Sequence, residues 1–179
     1  MTATPSTSPV EMRLVELGRI QSPFKQATGT PIQPYRAAGA PGYITLRPEF
    51  VAGLEGLADF DRVWLIYWFH QAAAAKMRVI PYRDTVAHGL FATRVPARPN
   101  TIGMSCVRLL NIENNILRLA ELDILDDTPL LDIKPYVPQY DNYPVRRCGW
   151  LDTVPDKPVV ADDRFERKEI RTGPDVSLT

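Results

Sequence analysis

"VRLLNIENNILRLAELDIL", residues 107–125, sets two runs of alternating Val, Leu and Ile on either side of Asn114-Asn115. Alternation of apolar residues gives an extended chain one face for a core. Asn accepts the positive φ that a two-residue hairpin turn demands. The stretch predicts a β-hairpin with strands near 104–113 and 116–124. Outward from it, short runs rich in Val, Ile, Leu, Tyr and Trp alternate with clusters of Pro, Gly, Asn and Asp, and predict further strands near 13–20, 43–46, 62–70, 76–82, 88–93 and 129–134. "VWLIYWF" (63–69) reads as a buried strand and is far shorter than the roughly 18 to 20 residues of a membrane span. Only "RPEFVAGLEGLADF" (47–60) argues for a helix, with Pro48 near its start and Phe50, Val51, Leu54 and Leu57 at helical spacing. Parallel neighbours need crossovers of about a dozen residues, which a chain with 17 prolines and one short helix does not offer. The expected fold class is therefore mostly β: a small, closed or partly closed β-barrel with one short helix.

Apolar residues make up 45% and charged residues 23% of 179, the balance of one ordinary globular domain. Residues 1–10 are expected to form a disordered lead-in, 11–155 the barrel domain, and 156–179 a C-terminal extension with a loose tail. The first residues lack the basic start and apolar stretch of a signal peptide, so a cytoplasmic location is expected. Lys plus Arg and Asp plus Glu are both 21, so any nucleic acid must be held by a local basic patch rather than by net charge. Cys106 and Cys148 form neither a CxxC pair nor a His–Cys cluster, so reduced thiols and no metal site are expected. The aspartates at 123, 126, 127 and 132 lack calcium-loop spacing, and neither a Walker nor a GxGxxG motif occurs.

"FATRVPARPNTIG" (91–103) carries the most distinctive chemistry. Pro96 and Pro99 fix φ and hold their predecessors extended, which predicts a rigid loop after strand 88–93. Arg94 and Arg98 on such a loop either clamp a carboxylate or phosphate bidentately or pair with nearby Asp and Glu in solvent. His70 and Gln71, ending the long apolar run, either line a pocket at the barrel mouth or serve as structural residues; His88 is expected to face solvent. "DDRFERKEIR" (162–171) reads as a solvated strand or helix face rather than an RNA-binding arm. These residues describe a barrel with a pocket of Arg, Gln, His and Asp, and name no ligand.

"GRIQSPFK" (18–25), "TPIQP" (30–34), "GLEGLADFD" (53–61), "VWLIYWFHQ" (63–71), "GLFATRVPARPNTIGMS" (89–105) and "LDILDDTPLLDIKPY" (122–136) together resemble the TsaA-like (YaeB-like) family over about residues 14–140. The resemblance implies a small β-barrel that binds S-adenosyl-L-methionine, forms a homodimer and methylates N6 of a threonylcarbamoyl-modified adenosine in tRNA. A non-catalytic S-adenosylmethionine-binding module, a methyltransferase with a smaller acceptor, and a barrel that binds another nucleotide through its arginine loop are the alternatives. Carried over motif by motif, cofactor contacts are expected at Pro31, Ile32, Gln33, His70, Gln71, Arg94, Met104, Asp123, Ile124, Leu125 and Asp126. Arg94 would meet the methionine carboxylate, Asp123 or Asp126 the ribose hydroxyls and Gln33 the adenine edge. No catalytic base is assigned; Asp126, Asp132 and Tyr136 are candidates by sequence proximity alone. Two positions depart from the family pattern. Thr101 stands where RPNPIG has its second proline, and Asp127 stands where DGTP has glycine, which demands a turn that Asp tolerates.

Overall fold

The computed structural model describes residues 11–156 and 160–167; residues 1–10 and most of the expected loose tail lie outside them. Among the described residues eight strands occur in chain order: β1 (Gly18–Gln21), β2 (Gly42–Leu46), β3 (Arg62–Trp68), β4 (Arg78–Val79), β5 (His88–Gly89), β6 (Ile102–Glu113), β7 (Ile116–Ala120) and β8 (Thr128–Pro135). Six of them close a barrel in the order β1-β2-β7-β6-β3-β8, and every neighbouring pair is antiparallel.

The β6–β7 hairpin forms where the sequence places it. Glu113 pairs with Ile116, and Asn114 takes a φ of 56°. Asn115 then ties the turn to β2: Leu46 N donates to its carbonyl, and its side-chain amide donates to Leu46 O, both at 2.8 Å. On β3 the period-two pattern points Val63, Leu65 and Tyr67 inward, where they meet Val107 and Leu109 of β6, Leu117 and Leu119 of β7, and Leu130 of β8. Each such aliphatic side chain, taken from water to full burial, contributes about 1.5–3 kcal/mol. Asp127 adopts φ 58°, so the departure from DGTP is met by an αL turn, a conformation Asp can take at some cost.

Three expectations need correction. The segments 76–82 and 88–93 are not barrel strands; they shrink to the two-residue pair β4–β5 outside the barrel, and Leu90–Ala92 is a 3-10 turn. Their apolar residues serve a second, smaller core of Val79, Leu90, Val95, Ala97 and Phe165, which takes them out of barrel register. The single helix at 47–60 is instead two 3-10 stretches, Pro48–Leu54 and Leu57–Asp59, separated at Gly56 with φ 76°. Among the described residues the one α-helix is the single turn α1 (Pro138–Asp141), and no helix is long and apolar enough to cross a membrane.

Candidate functional site

A cavity of about 810 Å³ lies between the barrel mouth and the smaller core, within the roughly 300–1,000 Å³ of ligand pockets. Tyr67 of β3, Gly103 and Met104 of β6, and the Asp123–Leu125 segment after β7 line its barrel side. Ile32 and Gln33, which precede the 3-10 turn Pro34–Arg36, share the cavity with His70 and Gln71 beyond β3 and with Thr93 and Arg94 of the proline loop. Trp150, Leu151, Ala161 and Phe165 close it from the C-terminal side.

At the mouth, hydrocarbon gives way to a polar chain. Tyr67 Oη lies 3.1 Å from Ser105 Oγ, which donates to Asp123 Oδ1 at 2.6 Å. A hydroxyl has one proton, so Tyr67 is the donor to Ser105. Asp123 opens on the cavity but is otherwise enclosed by protein, and burial pushes its carboxyl up to about 7. Burial and the adjacent Asp123 push the Tyr67 phenol above its ordinary value, while the positive charge of Arg94 opposes both shifts. The Tyr67 ring lies so close to β6 that a Cβ on Gly103 would sit 2.3 Å from its Cε2. Glycine is what admits the ring.

Arg94 is exposed on its loop and donates through Nη1 to Gln33 Oε1 at 3.3 Å; among the described residues it forms no salt bridge. Arg98 is held differently, donating to Thr93 O at 3.0 Å with its guanidinium 5.8 Å from the Phe91 ring centroid. Burial lowers the His70 imidazole below its usual range. Its Nε2 lies 3.2 Å from the Gln71 amide nitrogen, and its Nδ1 lies 3.5 Å from the Thr128 hydroxyl, whose proton goes to Leu125 O. Neutral His70 therefore accepts from Gln71 at Nε2 and carries its proton on Nδ1.

Of the residues expected at the site, Ile32, Gln33, His70, Gln71, Arg94, Met104, Asp123, Ile124 and Leu125 line the cavity. Pro31 and Asp126 do not line it. Pro31 pairs with Val160 in an isolated β-bridge. Asp126 accepts from Ser22 N at 2.9 Å and pairs with Lys25 at 2.5 Å, joining two loops. Asp132 pairs with Lys134, and Tyr136 packs on Trp64; neither lines the cavity. His88 is not turned to solvent. Its Nε2 lies 2.7 Å from Asp84 Oδ2, and its ring stacks on Trp150 with centroids 4.7 Å apart. In 162–167 the charged Asp163, Arg164 and Arg167 are exposed as expected, while Phe165 is buried in the smaller core; residues 168–171 lie outside the described residues. Sequence reading missed Tyr67, Ser105, Trp150 and Phe165. The first two fall on inward positions of β3 and β6, a signal that alternation carries; the last two carry no local signal.

A closed antiparallel barrel whose mouth gathers a guanidinium, a half-buried carboxyl group and aromatic walls defines a small-molecule-binding barrel. The chain belongs to the tRNA-methyltransferase O N-terminal domain family, whose model matches residues 19–142. It is 49% identical over 136 residues to a protein of Pyrococcus abyssi named as a probable S-adenosyl-L-methionine-binding protein, covering 76% of this chain and 74% of that one. It is 35% identical over 150 residues to the tRNA (adenine(37)-N6)-methyltransferase of Escherichia coli K12, covering 78% of this chain and 64% of that one. The crystal structure of TrmO from Pseudomonas aeruginosa superposes with a TM-score of 0.67 at 40% identity, covering 79% of this chain and 63% of that one. The chain thus spans less than two thirds of the length of the two latter proteins.

Proposed function

We propose that this chain binds S-adenosylmethionine in the barrel-mouth cavity and transfers its methyl group to the exocyclic N6 of an adenosine in tRNA. One observation carries the proposal: Arg94, with no carboxylate partner among the described residues, faces the same cavity as the half-buried Asp123. The volume and donor set suit the cofactor. Arg94 offers a guanidinium to the methionine carboxylate, Gln33 an amide to the adenine edge, and Asp123 an acceptor to the ribose hydroxyls. Bound there, S-adenosylmethionine supplies a methyl group already activated by its sulfonium. The chain's own task is to orient the partners and exclude water, which the walls of Tyr67, Phe69 and Phe165 serve.

The name of the Escherichia coli relative supports the tRNA adenosine as acceptor. A threonylcarbamoyl group on that adenosine, a homodimeric enzyme and a cytoplasmic site of action belong to the same proposal. The name of the Pyrococcus relative favours a second reading, a module that binds the cofactor without transferring from it.

Calorimetric titration of S-adenosylmethionine into the wild type and an Arg94→Ala variant is the test. Binding that the variant weakens about tenfold to hundredfold is expected for a lost charge-assisted pair. Methyl transfer from radiolabelled cofactor to total tRNA then separates the readings. Label in tRNA supports the enzyme, tight binding without label supports the module, and absence of binding at millimolar ligand sinks both.

A further inference from the structure

The family's model ends at residue 142, yet the cavity is closed by Trp150, Leu151, Ala161 and Phe165. These residues come from two stretches laid against the barrel mouth. Ala161 N donates to Thr30 O at 2.8 Å while Gly29 N donates to Ala161 O at 2.9 Å. On the far side, Ala73 N donates to Phe165 O at 2.9 Å and Arg167 N to Gln71 O at 2.7 Å. The segment 160–167 therefore spans from the Gln33 loop to the residues after His70, the two walls that the expected site residues occupy.

We propose that this C-terminal segment completes the ligand site, and that Trp150 is a positioning residue which sets Arg94 in place. The inference rests on the reading above, in which Arg94 holds the ligand's carboxylate. Three contacts in series support it. Asp84 Oδ2 holds His88 Nε2 at 2.7 Å; the His88 ring lies nearly parallel to the Trp150 indole, at 20°; and Trp150 Nε1 donates to Ala92 O at 2.8 Å. Ala92 ends the 3-10 turn Leu90–Ala92, which Thr93 closes by donating to Leu90 O from both its amide and its hydroxyl. Arg94 is the next residue. Among the described residues its guanidinium has one long hydrogen bond, to Gln33, so the backbone at 92–93 does most to fix where it starts. Trp150 is only half-buried, and a half-buried indole N–H is free to bond water. Here it is spent on the carbonyl two residues before the arginine.

The experiment measures the affinity of the full chain for S-adenosylmethionine by calorimetry in wild type, Trp150→Phe, Arg94→Ala and the double variant. Phe keeps a ring against His88 and removes the N–H. Trp150→Phe is expected to weaken binding by about threefold to tenfold, the range of one lost hydrogen bond. In the Arg94→Ala background the same change is expected to weaken it less than about twofold, because a residue that acts through Arg94 has nothing left to position. Amide exchange at Thr93 and Arg94 is expected to quicken in Trp150→Phe while the thermal midpoint stays near that of the wild type. Unchanged affinity in Trp150→Phe overturns the inference. So does an equal loss with and without Arg94, which would mean that Trp150 touches the ligand itself. A wild type that does not bind S-adenosylmethionine overturns the proposed function and this inference together, whereas binding with independent effects overturns only the latter.

Discussion

Ser105 Oγ donates to Asp123 Oδ1 at 2.6 Å, in the mouth of a barrel whose inward positions are otherwise mostly hydrocarbon. Burial raises the Asp123 carboxyl to about 7 from 3.8. Between those values the folded chain holds a proton that the unfolded chain has released, so the stability owed to this group falls as pH rises and levels off above the folded value. Asp123→Asn removes that dependence. The variant is expected to gain on the wild type by about 2–3 kcal/mol between about pH 5 and pH 7.5. Urea midpoints of both proteins across that range check it, and parallel curves would refute it.

Gly103→Ala is expected to cost about 1–3 kcal/mol, since the new Cβ would meet Tyr67 Cε2 at 2.3 Å and Phe69 Cζ at 2.9 Å. An aromatic ring must move, and the Tyr67–Ser105 contact moves with it. A lowered denaturation midpoint with an unchanged denaturant slope is the expected measurement. An unaffected midpoint would mean that the ring gives way freely.

How far the sequence told the fold depended on whether periodicity and turn chemistry agreed. At 107–125 they did, and Asn114 sits in the αL conformation that the Asn pair predicts. At 76–93 they did not. Val79 and Leu90 have strand-like surroundings, but they pack under Phe165, some eighty residues away in sequence, and nothing local discloses a second core. The site divides in the same way. Arg94 was legible as a cavity residue only through the family motif, since its proline-stiffened loop left pairing in solvent equally open. Asp123 and Asp126 could not be told apart, because which of two acids in one loop turns inward depends on Lys25 and Ser22, distant partners that claim Asp126. His88, expected to face solvent, is enclosed by Asp84 and by Trp150, a partner distant in sequence.

Asp126→Ala separates a loop tie from a ligand contact. Burial works against the Asp126 carboxylate, but Lys25 and the Ser22 amide outweigh it and hold the group below its ordinary value. Its contribution is therefore present above the usual carboxylate range and is lost as pH falls through the lowered value. The variant is expected to lose about 1–2 kcal/mol at neutral pH, with the deficit closing in acid. Its affinity for S-adenosylmethionine is expected to fall far less than that of Arg94→Ala. Parallel calorimetry decides it, and an equal loss in both variants would return Asp126 to the ligand.

Phe165→Ala tests whether the smaller core unfolds on its own. Phe165 is 7% exposed and meets Tyr82 edge-on, with ring centroids 5.2 Å apart. Removing the ring is expected to cost about 3–4 kcal/mol, the lower part of the range for buried Phe because the site lies at the edge of the fold. The loss should be local, since the barrel closes through its own six strands without this cluster. Hydrogen exchange provides the measurement. The amides of Ala73, Ala161 and Arg167, which stitch the segment in place, are expected to lose protection, while those of Leu65 and Val107 inside the barrel keep theirs. Loss of protection at both sets would make the two cores one cooperative unit, in which the C-terminal segment supports the barrel as well as the ligand cavity.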